Sequence, residues 1–289
     1  MSRWYVSMIV QMVTALAVIL PRAVPAAEFT CAEGDVACLI DTITAANANG
    51  ETNTITLAAG TYTLTAVNNT TVDGPNGLPS ITSPLTITGA NITSGVGHGT
   101  IGHIIIGPNT GTAIGVGQNH GTGTIVEQSL GAPDFRLVHI AETGTVVLDG
   151  LTLRGGAGAI ANHGTLTLAN SVLASNVHGL GAGIHNTGTM TIVNSALSQG
   201  DGISNASDMA FTNCVVSGDI SNEGDMAFTN CTVGGDVSNA GVMTLQNTIL
   251  AGGISDCSGR FISLGNNLII GATGCPILGD EAQPTENLR

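Results

Sequence analysis

Residues 203–250 read ISNASDMAFTNCVVSGDISNEGDMAFTNCTVGGDVSNAGVMTLQNTIL, a stretch that repeats one unit three times. Each unit begins with an apolar residue, a serine and an asparagine, and a second asparagine follows eight positions later. Outward from this stretch, the same unit occurs at 160–173 and 184–197, so that five segments align without a gap. Self-similarity at a short period indicates a repeat architecture.

The second asparagine of each segment marks how far the chain advances per repeat. It advances by 24, 19, 17 and 17 residues, so constant units are joined by connections of variable length, which predicts a solenoid. Asparagine tolerates left-handed backbone geometry at a bend, and its amide can bond the next asparagine in a stack. We therefore expect a structural asparagine ladder made of Asn170, Asn194, Asn213, Asn230 and Asn247.

Apolar and polar residues alternate within each segment, as they do where Thr165 and Thr167 interleave with Leu166 and Leu168. Period two predicts a strand with one buried face. Shorter apolar patterns on either side predict two more strands, and such coils must stack to satisfy their backbones. The predicted fold is therefore all-β, a right-handed, single-stranded parallel β-helix.

The N-terminal part differs from the repeats. Residues 36–47 place Leu39, Ile40 and Ile43 at helical spacing, which predicts a short amphipathic helix. Such a capping helix would close the open end of the stack and cover a sheet edge that otherwise invites aggregation. The expected organisation is a signal peptide at 1–26, an N-terminal cap at 27–58, the β-helix at 59–278 and a flexible tail at 279–289.

The first 26 residues have the order of a secretory signal peptide. Arg3 supplies a positive start, 6–20 is mostly apolar, and Val24 and Ala26 are the small pair before a cleavage site after Ala26. The apolar run is shorter than the roughly 20 residues that a membrane span needs. We expect a secreted or cell-surface protein whose mature chain has no transmembrane segment.

The chain is strongly acidic, with a formal net charge of −14. Removal of Arg3 and Arg22 with the signal peptide leaves 20 acidic against 4 basic side chains, a formal charge of −16. This balance argues against nucleic acid or an anionic membrane as a partner, because both are bound through basic patches. Solubility explains the charge, and attraction for cations is the functional alternative.

The six cysteines suggest disulfides, since the chain is expected to be exported. Cys31 is close in sequence to Cys38, and Cys257 and Cys275 bracket a short C-terminal loop, so both pairs are predicted to bond. Two further cysteines, Cys214 and Cys231, occupy the same inward place on adjacent coils. A stacked pair of buried thiols is favoured there over a disulfide, because bonding between parallel neighbours needs awkward side-chain directions.

Several motifs resemble those of a known family. Residues 31–64 include AAN at 45–47 and AGTYTL at 59–64, and GLPSI at 77–81 precedes LTITG at 85–89. These resemble the cap of bacterial CSLREA-domain proteins, although Ile40 and Asp41 stand where the family motif has Arg and Glu. The repeats resemble the pectin-lyase-like β-helix repeats of those proteins and of chlamydial polymorphic outer-membrane proteins. The resemblance implies an exported β-helix, often an adhesin or surface protein, with no shared catalytic residues.

Acidic residues recur on adjacent coils. Asp208 and Asp225 hold the same outward position in the central strand, and Asp219 and Asp236 hold the same position before another strand. Stacked like charges repel, and a bound Ca²⁺ would offset the repulsion. Fewer oxygens are evident here than the six or more that Ca²⁺ takes, so plain solvation stays open beside a Ca²⁺ site.

A catalytic cluster is harder to find. A polysaccharide lyase of this fold needs acidic metal ligands and a strong base over one groove. The chain has no lysine, and Arg136 and Arg154 are the plausible pair because they belong to neighbouring coils. His178 and His185 flank the longest inter-coil loop, where metal binding and simple exposure both stay open.

The first functional hypothesis is therefore a noncatalytic exported protein, adhesin-like, that binds a polysaccharide or a surface protein and requires no cofactor. The alternatives are a polysaccharide lyase or glycoside hydrolase, and a structural module of a secreted assembly.

Overall fold

The computed structural model describes residues 26–90, 123–176, 183–198, 200, 202–252, 254–256, 258–270, 277–279 and 283–284. In this part of the chain one helix follows the first strand, and the other strands come after the helix. The helix, α1, spans Val36–Asn49. The first strands are Glu28–Cys31 (β1), Asn53–Leu57 (β2), Gly60–Leu64 (β3), Asn69–Thr71 (β4), Gly74–Asn76 (β5), Pro84–Thr88 (β6), Thr124–Gln128 (β7), Arg136–Ile140 (β8), Thr145–Asp149 (β9) and Leu151–Arg154 (β10).

The strands of the repeats follow. They are Gly158–Asn162 (β11), Thr165–Ala169 (β12), Val172–Ala174 (β13), Ile184–Asn186 (β14), Thr189–Val193 (β15), Ala196–Leu197 (β16), Ile203–Asn205 (β17), Asp208–Thr212 (β18), Val215–Val216 (β19), Ile220–Asn222 (β20), Asp225–Thr229 (β21), Thr232–Val233 (β22), Val237–Asn239 (β23), Val242–Gln246 (β24) and Ile249–Leu250 (β25). The last are Ile254–Asp256 (β26), Arg260–Ser263 (β27), Leu268–Ile269 (β28), Ile277–Leu278 (β29) and Gln283–Pro284 (β30).

These strands form three long sheets among the described residues. Sheet A runs β1-β2-β6-β9-β12-β15-β18-β21-β24-β27-β29, sheet B runs β3-β7-β10-β13-β16-β19-β22-β25-β28-β30, and sheet C runs β26-β23-β20-β17-β14-β11-β8-β5-β4. In the repeats each coil gives one strand to sheets C, A and B in turn, and neighbouring coils pair in parallel. The predicted parallel β-helix is confirmed, and its right-handed winding stays a prediction.

The core is a stack of equivalent side chains. Met190, Met209, Met226 and Met243 lie in one register on sheet A, and all are buried. The rings of Phe211 and Phe228 stack at 4.6 Å between centroids on adjacent coils. Each inward-facing position of the strand therefore aligns with its equivalents in neighbouring coils to form a buried apolar column, as the period-two pattern predicts.

The N-terminal end of the stack carries α1, as predicted, and the helix is two residues longer than expected. Asp35 accepts a hydrogen bond from the Cys38 amide at 2.9 Å and caps the helix start, and Gly50, with a φ of 70°, ends it. The predicted disulfide between Cys31 and Cys38 is present and joins β1 to α1. Because β1 and β2 belong to sheet A, the sheet extends back into residues 27–58.

Among the described residues, an antiparallel hairpin interrupts the coil pattern. Strands β4 and β5 form an antiparallel hairpin, and β5 joins sheet C through the pairing of Asn76 with Arg136. This hairpin carries Asp73 in its turn and places it beside the outer face of sheet C.

Candidate functional site

The outer face of sheet A has two columns of side chains in strict register. In the first column Thr189, Asp208, Asp225 and Val242 are successive partners. In the second, two alanines lie between two threonines. Together these positions line a shallow depression of about 300 Å³, called here the sheet A trough: Thr189, Thr191, Asp208, Ala210, Asp225, Ala227, Val242 and Thr244.

The other acidic pair lies on a different sheet. Asp219 and Asp236 directly precede β20 and β23 of sheet C, and the Asp236 amide donates to Asp219 Oδ1 at 3.0 Å. They line a depression of about 320 Å³ that also includes Ser204, Ser221 and Ser238. The four aspartates considered for Ca²⁺ therefore form two separate pairs, each with two carboxylates, whereas Ca²⁺ takes six to eight oxygens.

The two arginines considered as catalytic bases do not come together. Arg136 is on β8 of sheet C, is 2% exposed, and donates from Nη1 to the main-chain oxygen of Asp73 at 3.0 Å. Burial lowers the pKa of this guanidinium, and the nearby Asp73 opposes that effect. Arg154 is on β10 of sheet B and pairs with Glu127 at 2.6 Å. The two arginines belong to neighbouring coils, as expected, but they lie on different sheets and therefore do not share a groove.

A cluster of titratable groups does form on the outer face of sheet C. Asp73 Oδ2 lies 2.5 Å from His163 Nε2 and 3.4 Å from His139 Nε2, and the three ligand atoms all lie within 4.8 Å of one another. His163 Nδ1 is 2.6 Å from the hydroxyl of Thr187. We call Asp73, His139 and His163 the His–Asp cluster. The ring of His185 lies next to it, 6.2 Å from the ring of His163.

The electrostatics of the cluster favour a charged carboxylate between imidazoles. Burial alone would raise the pKa of Asp73, but its hydrogen bond to His163 and the charges of His163, Arg136 and His139 lower it overall. Burial and the neighbouring His163 lower the pKa of His139, and burial lowers the pKa of His185. Nδ1 of His139 is buried without a hydrogen-bond partner among the described atoms. The cluster can therefore present imidazole nitrogens and a carboxylate oxygen toward one point.

Sequence reasoning missed this cluster. His139 and His185 occupy equivalent strand positions, both in register with Ala161, and His163 follows two residues after Ala161. That part was visible in the repeat alignment. Asp73 was not, because it comes from a hairpin outside the repeats and is 90 residues away from His163 in sequence.

The predicted asparagine ladder lies on the surface. Each of its members has a positive φ, between 49° and 57°, as expected for asparagine at a sharp bend. The side-chain amides of Asn194, Asn213, Asn230 and Asn247 each donate to the preceding member at 3.1–3.2 Å. Asn170 continues the series by donating to Asp149 at 2.7 Å. These asparagines are fully engaged in the bend of the coil, which is an architectural role.

A second ladder lies in the core and was not predicted. Asn162, Asn186, Asn205, Asn222 and Asn239 are at most 1% exposed. Each of the first four donates from Nδ2 to the next member's Oδ1 at 2.7–2.8 Å. The first asparagine of each unit therefore bonds the coils together from inside, and the second does so from outside.

The two inward cysteines are free and buried. They occupy the same position in their coils as Ser171, Ser195 and Thr248. Side chains in this column accept a hydrogen bond from a main-chain amide of the preceding coil. The Cys214 amide donates to Cys231 Sγ, and the Cys231 amide donates to Thr248 Oγ1, both at 3.4 Å. Contact with Cys231 and burial raise the pKa of the Cys214 thiol. The pair is a structural stack of thiols.

Some predicted features lie outside the described residues. They include the apolar part of the signal peptide, both cysteines of the C-terminal pair (Cys257 and Cys275), and His178. No helix in the described ranges has the length and apolar character needed to cross a membrane.

The architecture defines the class of protein: a parallel β-helix with a helical N-terminal cap. Comparisons with protein-family models, with curated proteins and with solved structures found no match to this chain.

Proposed function

We propose that this chain is an exported, noncatalytic β-helix protein that binds an extended polysaccharide along the sheet A trough. The observation that carries the proposal is the trough itself, in which Ala210 and Ala227 form a low floor between Thr191 and Thr244. A chain lying along the stack would meet the same pair of side chains, an aspartate and an alanine, on two successive coils. This repetition suits a polymeric ligand better than a small molecule.

The chemistry of the trough suits sugar hydroxyls. Asp208 and Asp225 offer carboxylate acceptors, and Thr189, Thr191 and Thr244 offer hydroxyls that both donate and accept. Because the carboxylates repel polyanions, we expect a neutral polysaccharide as the ligand. Hydrogen bonds to sugars replace hydrogen bonds to water, so each contributes modestly, and we expect a Kd of about 1 mM.

The trough can be blocked without touching the core. Ala227→Trp places a large ring on the trough floor, and Thr232→Trp places the same ring on sheet B of the same coil as the matched control. In affinity electrophoresis through gels that contain xylan, β-glucan or galactan, we expect at least one polymer to retard the parent chain and Thr232→Trp but not Ala227→Trp. Equal retardation of all three proteins, or none with any polymer, contradicts the proposal.

Export is part of this proposal and has its own test. Expression of the full chain in a secreting host should release a product whose N-terminal residue is Ala27. Retention of residues 1–26 in the released or membrane-bound protein would contradict the assignment of the signal peptide.

The enzymatic alternative is distinguished by turnover. Purified protein incubated with polygalacturonate, alginate and the neutral polymers, with and without Ca²⁺, should release no unsaturated products and no new reducing ends. Turnover that disappears in Arg136→Ala or Arg154→Ala overturns the noncatalytic assignment, provided that both variants keep the circular dichroism of the parent.

A further inference from the structure

We propose that the His–Asp cluster is a binding site for a divalent transition metal such as Zn²⁺, held by Asp73, His139 and His163. This site is on the outer face of sheet C and is separate from the sheet A trough, so it does not depend on polysaccharide binding.

The spacing of the ligand atoms fits such an ion. Ligands at 2.0–2.1 Å around a tetrahedral Zn²⁺ lie about 3.3 Å apart. Asp73 Oδ2 and His139 Nε2 are already 3.4 Å apart, and His163 Nε2 is 2.5 Å from the same carboxylate oxygen. The ligand atoms all lie within 4.8 Å of one another, so side-chain shifts of about 1 Å would bring the three of them to tetrahedral spacing.

The ring of His163 is held from both sides. Nε2 lies 2.5 Å from Asp73 Oδ2, and Nδ1 lies 2.6 Å from the hydroxyl of Thr187, which can donate or accept. With an ion bound at Nε2, the N–H at Nδ1 can donate to Thr187, and a hydrogen bond at the other ring nitrogen is what metal-bound histidines ordinarily have.

The three ligand side chains are mostly buried, but the site is still accessible to an ion from solvent. The side chains of Asp73, His139 and His163 are 12%, 7% and 19% exposed, so an ion can enter from one side. Arg136 fixes the hairpin by bonding the main-chain oxygen of Asp73, and its charge weakens the attraction for a cation. Two imidazoles and one carboxylate select Zn²⁺, Co²⁺ or Ni²⁺ over Ca²⁺ and Mg²⁺. Three protein ligands leave a fourth position for water.

The test is titration of the chelator-treated full chain with Co²⁺, followed by its visible ligand-field absorption, and with Zn²⁺ by calorimetry. We expect one ion per chain. Asp73→Asn and His163→Asn should each weaken Zn²⁺ binding at least about 100-fold, and Thr187→Val should weaken it about 10-fold. Glu142→Gln, which removes an exposed carboxylate three residues from His139, is the control and should leave the affinity unchanged.

Partly exposed His163 is the decisive position, because its replacement leaves the core intact even if His139 variants fail to fold. Retained circular dichroism of metal-free His163→Asn shows that loss of binding is local. Absence of Co²⁺ absorption in the parent, or a Zn²⁺ affinity that His163→Asn does not change, overturns the proposal.

Discussion

At the scale of single residues, the two asparagines of each unit have the same chemistry and different surroundings. Asn205 is in the core and donates from Nδ2 to Ser207 O at 2.7 Å and Asn222 Oδ1 at 2.8 Å. Asn213 is exposed and has a φ of 57°. The sequence predicts the exposed series from its recurrence at bends. It does not predict burial of the other series, because asparagine is mostly a surface residue and only the stacked partner satisfies its amide.

This difference leads to the first prediction, on stability. Asn205→Ala leaves the Oδ1 or Nδ2 groups of its stacked neighbours unsatisfied in the core and should lower the free energy of unfolding by about 3 kcal/mol. Asn213→Ala removes exposed hydrogen bonds with Asn194 and Asn230, for which water can substitute, and places alanine in the left-handed backbone region, so it should cost about 1–2 kcal/mol. Urea denaturation measures both, with Asn213→Gly as the control that relieves the backbone. Equal losses for the buried and exposed positions would contradict this account.

The thiol column gives a second prediction. Cys231 Sγ accepts the hydrogen bond of the Cys214 amide, and serine or threonine fills this role in other coils. We expect Cys231→Ser to change the free energy of unfolding by less than about 1 kcal/mol, and Cys231→Ala to lower it by about 1–3 kcal/mol. Urea unfolding compares the two variants. A larger loss for serine than for alanine would show that packing, rather than hydrogen bonding, governs the position.

At the scale of the elements, a column of glycines precedes the strands of sheet A. A Cβ at Gly241 would overlap the main-chain oxygen of Gly224, and a Cβ at Gly224 would overlap that of Ser207. The coils approach so closely at this corner that most repeats have no side chain there. Ser207 occupies the corner in one coil, so this position accommodates a side chain there.

The third prediction follows from this close approach. Gly241→Ala should lower the free energy of unfolding by more than about 2 kcal/mol, because backbone rather than a flexible side chain must move. Gly202→Ala is the matched control, since its Cβ would be 3.4 Å from Asp219 O, and it should stay within about 0.5 kcal/mol of the parent. Thermal or urea unfolding decides, and similar effects at both glycines would contradict the argument.

The fourth prediction concerns the disulfide of the N-terminal cap. Cys31 and Cys38 are seven residues apart, and closing a loop of that size should contribute about 2.5 kcal/mol through the unfolded state. The double variant Cys31→Ser, Cys38→Ser should lose about that much stability. Because α1 covers the end of the stack, it should also aggregate faster at equal concentration, as light scattering would show. Unchanged stability and scattering would mean that packing alone holds the cap.

The elements also show where sequence reasoning stops. Strands of the repeats and the capping helix were predictable, since five aligned segments report the same inward positions and α1 has its own helical spacing. The hairpin of β4 and β5 was not, because it has no repeat to align with and pairs antiparallel. Its turn supplies Asp73, so the His–Asp cluster depends on an element that the repeat pattern does not predict.

At the scale of the whole molecule, charge and stacking act together. The formal net charge is −14, and stacking of the coils places some acidic side chains directly above one another in columns. Asp208 and Asp225 are register partners on parallel strands, so they lie about 4.8 Å apart at the backbone. A charge that recurs from coil to coil is thus repeated at the spacing of the strands, which concentrates negative potential at each acidic column, including the one in the trough.

The last prediction concerns Ca²⁺ at this column. Two carboxylates with nearby threonine hydroxyls supply fewer oxygens than Ca²⁺ takes, so water must complete the shell and the affinity should be low, with a Kd of about 1 mM. Calorimetry at low ionic strength should detect this binding. Asp208→Asn with Asp225→Asn should abolish it, whereas Glu223→Gln, an exposed acid of the same coil, should not. Because the attraction is between exposed charges, 0.5 M NaCl should suppress the heat in the parent chain. No heat at millimolar Ca²⁺ would mean that solvent alone screens the paired aspartates, and the trough would then bind its ligand without a metal ion.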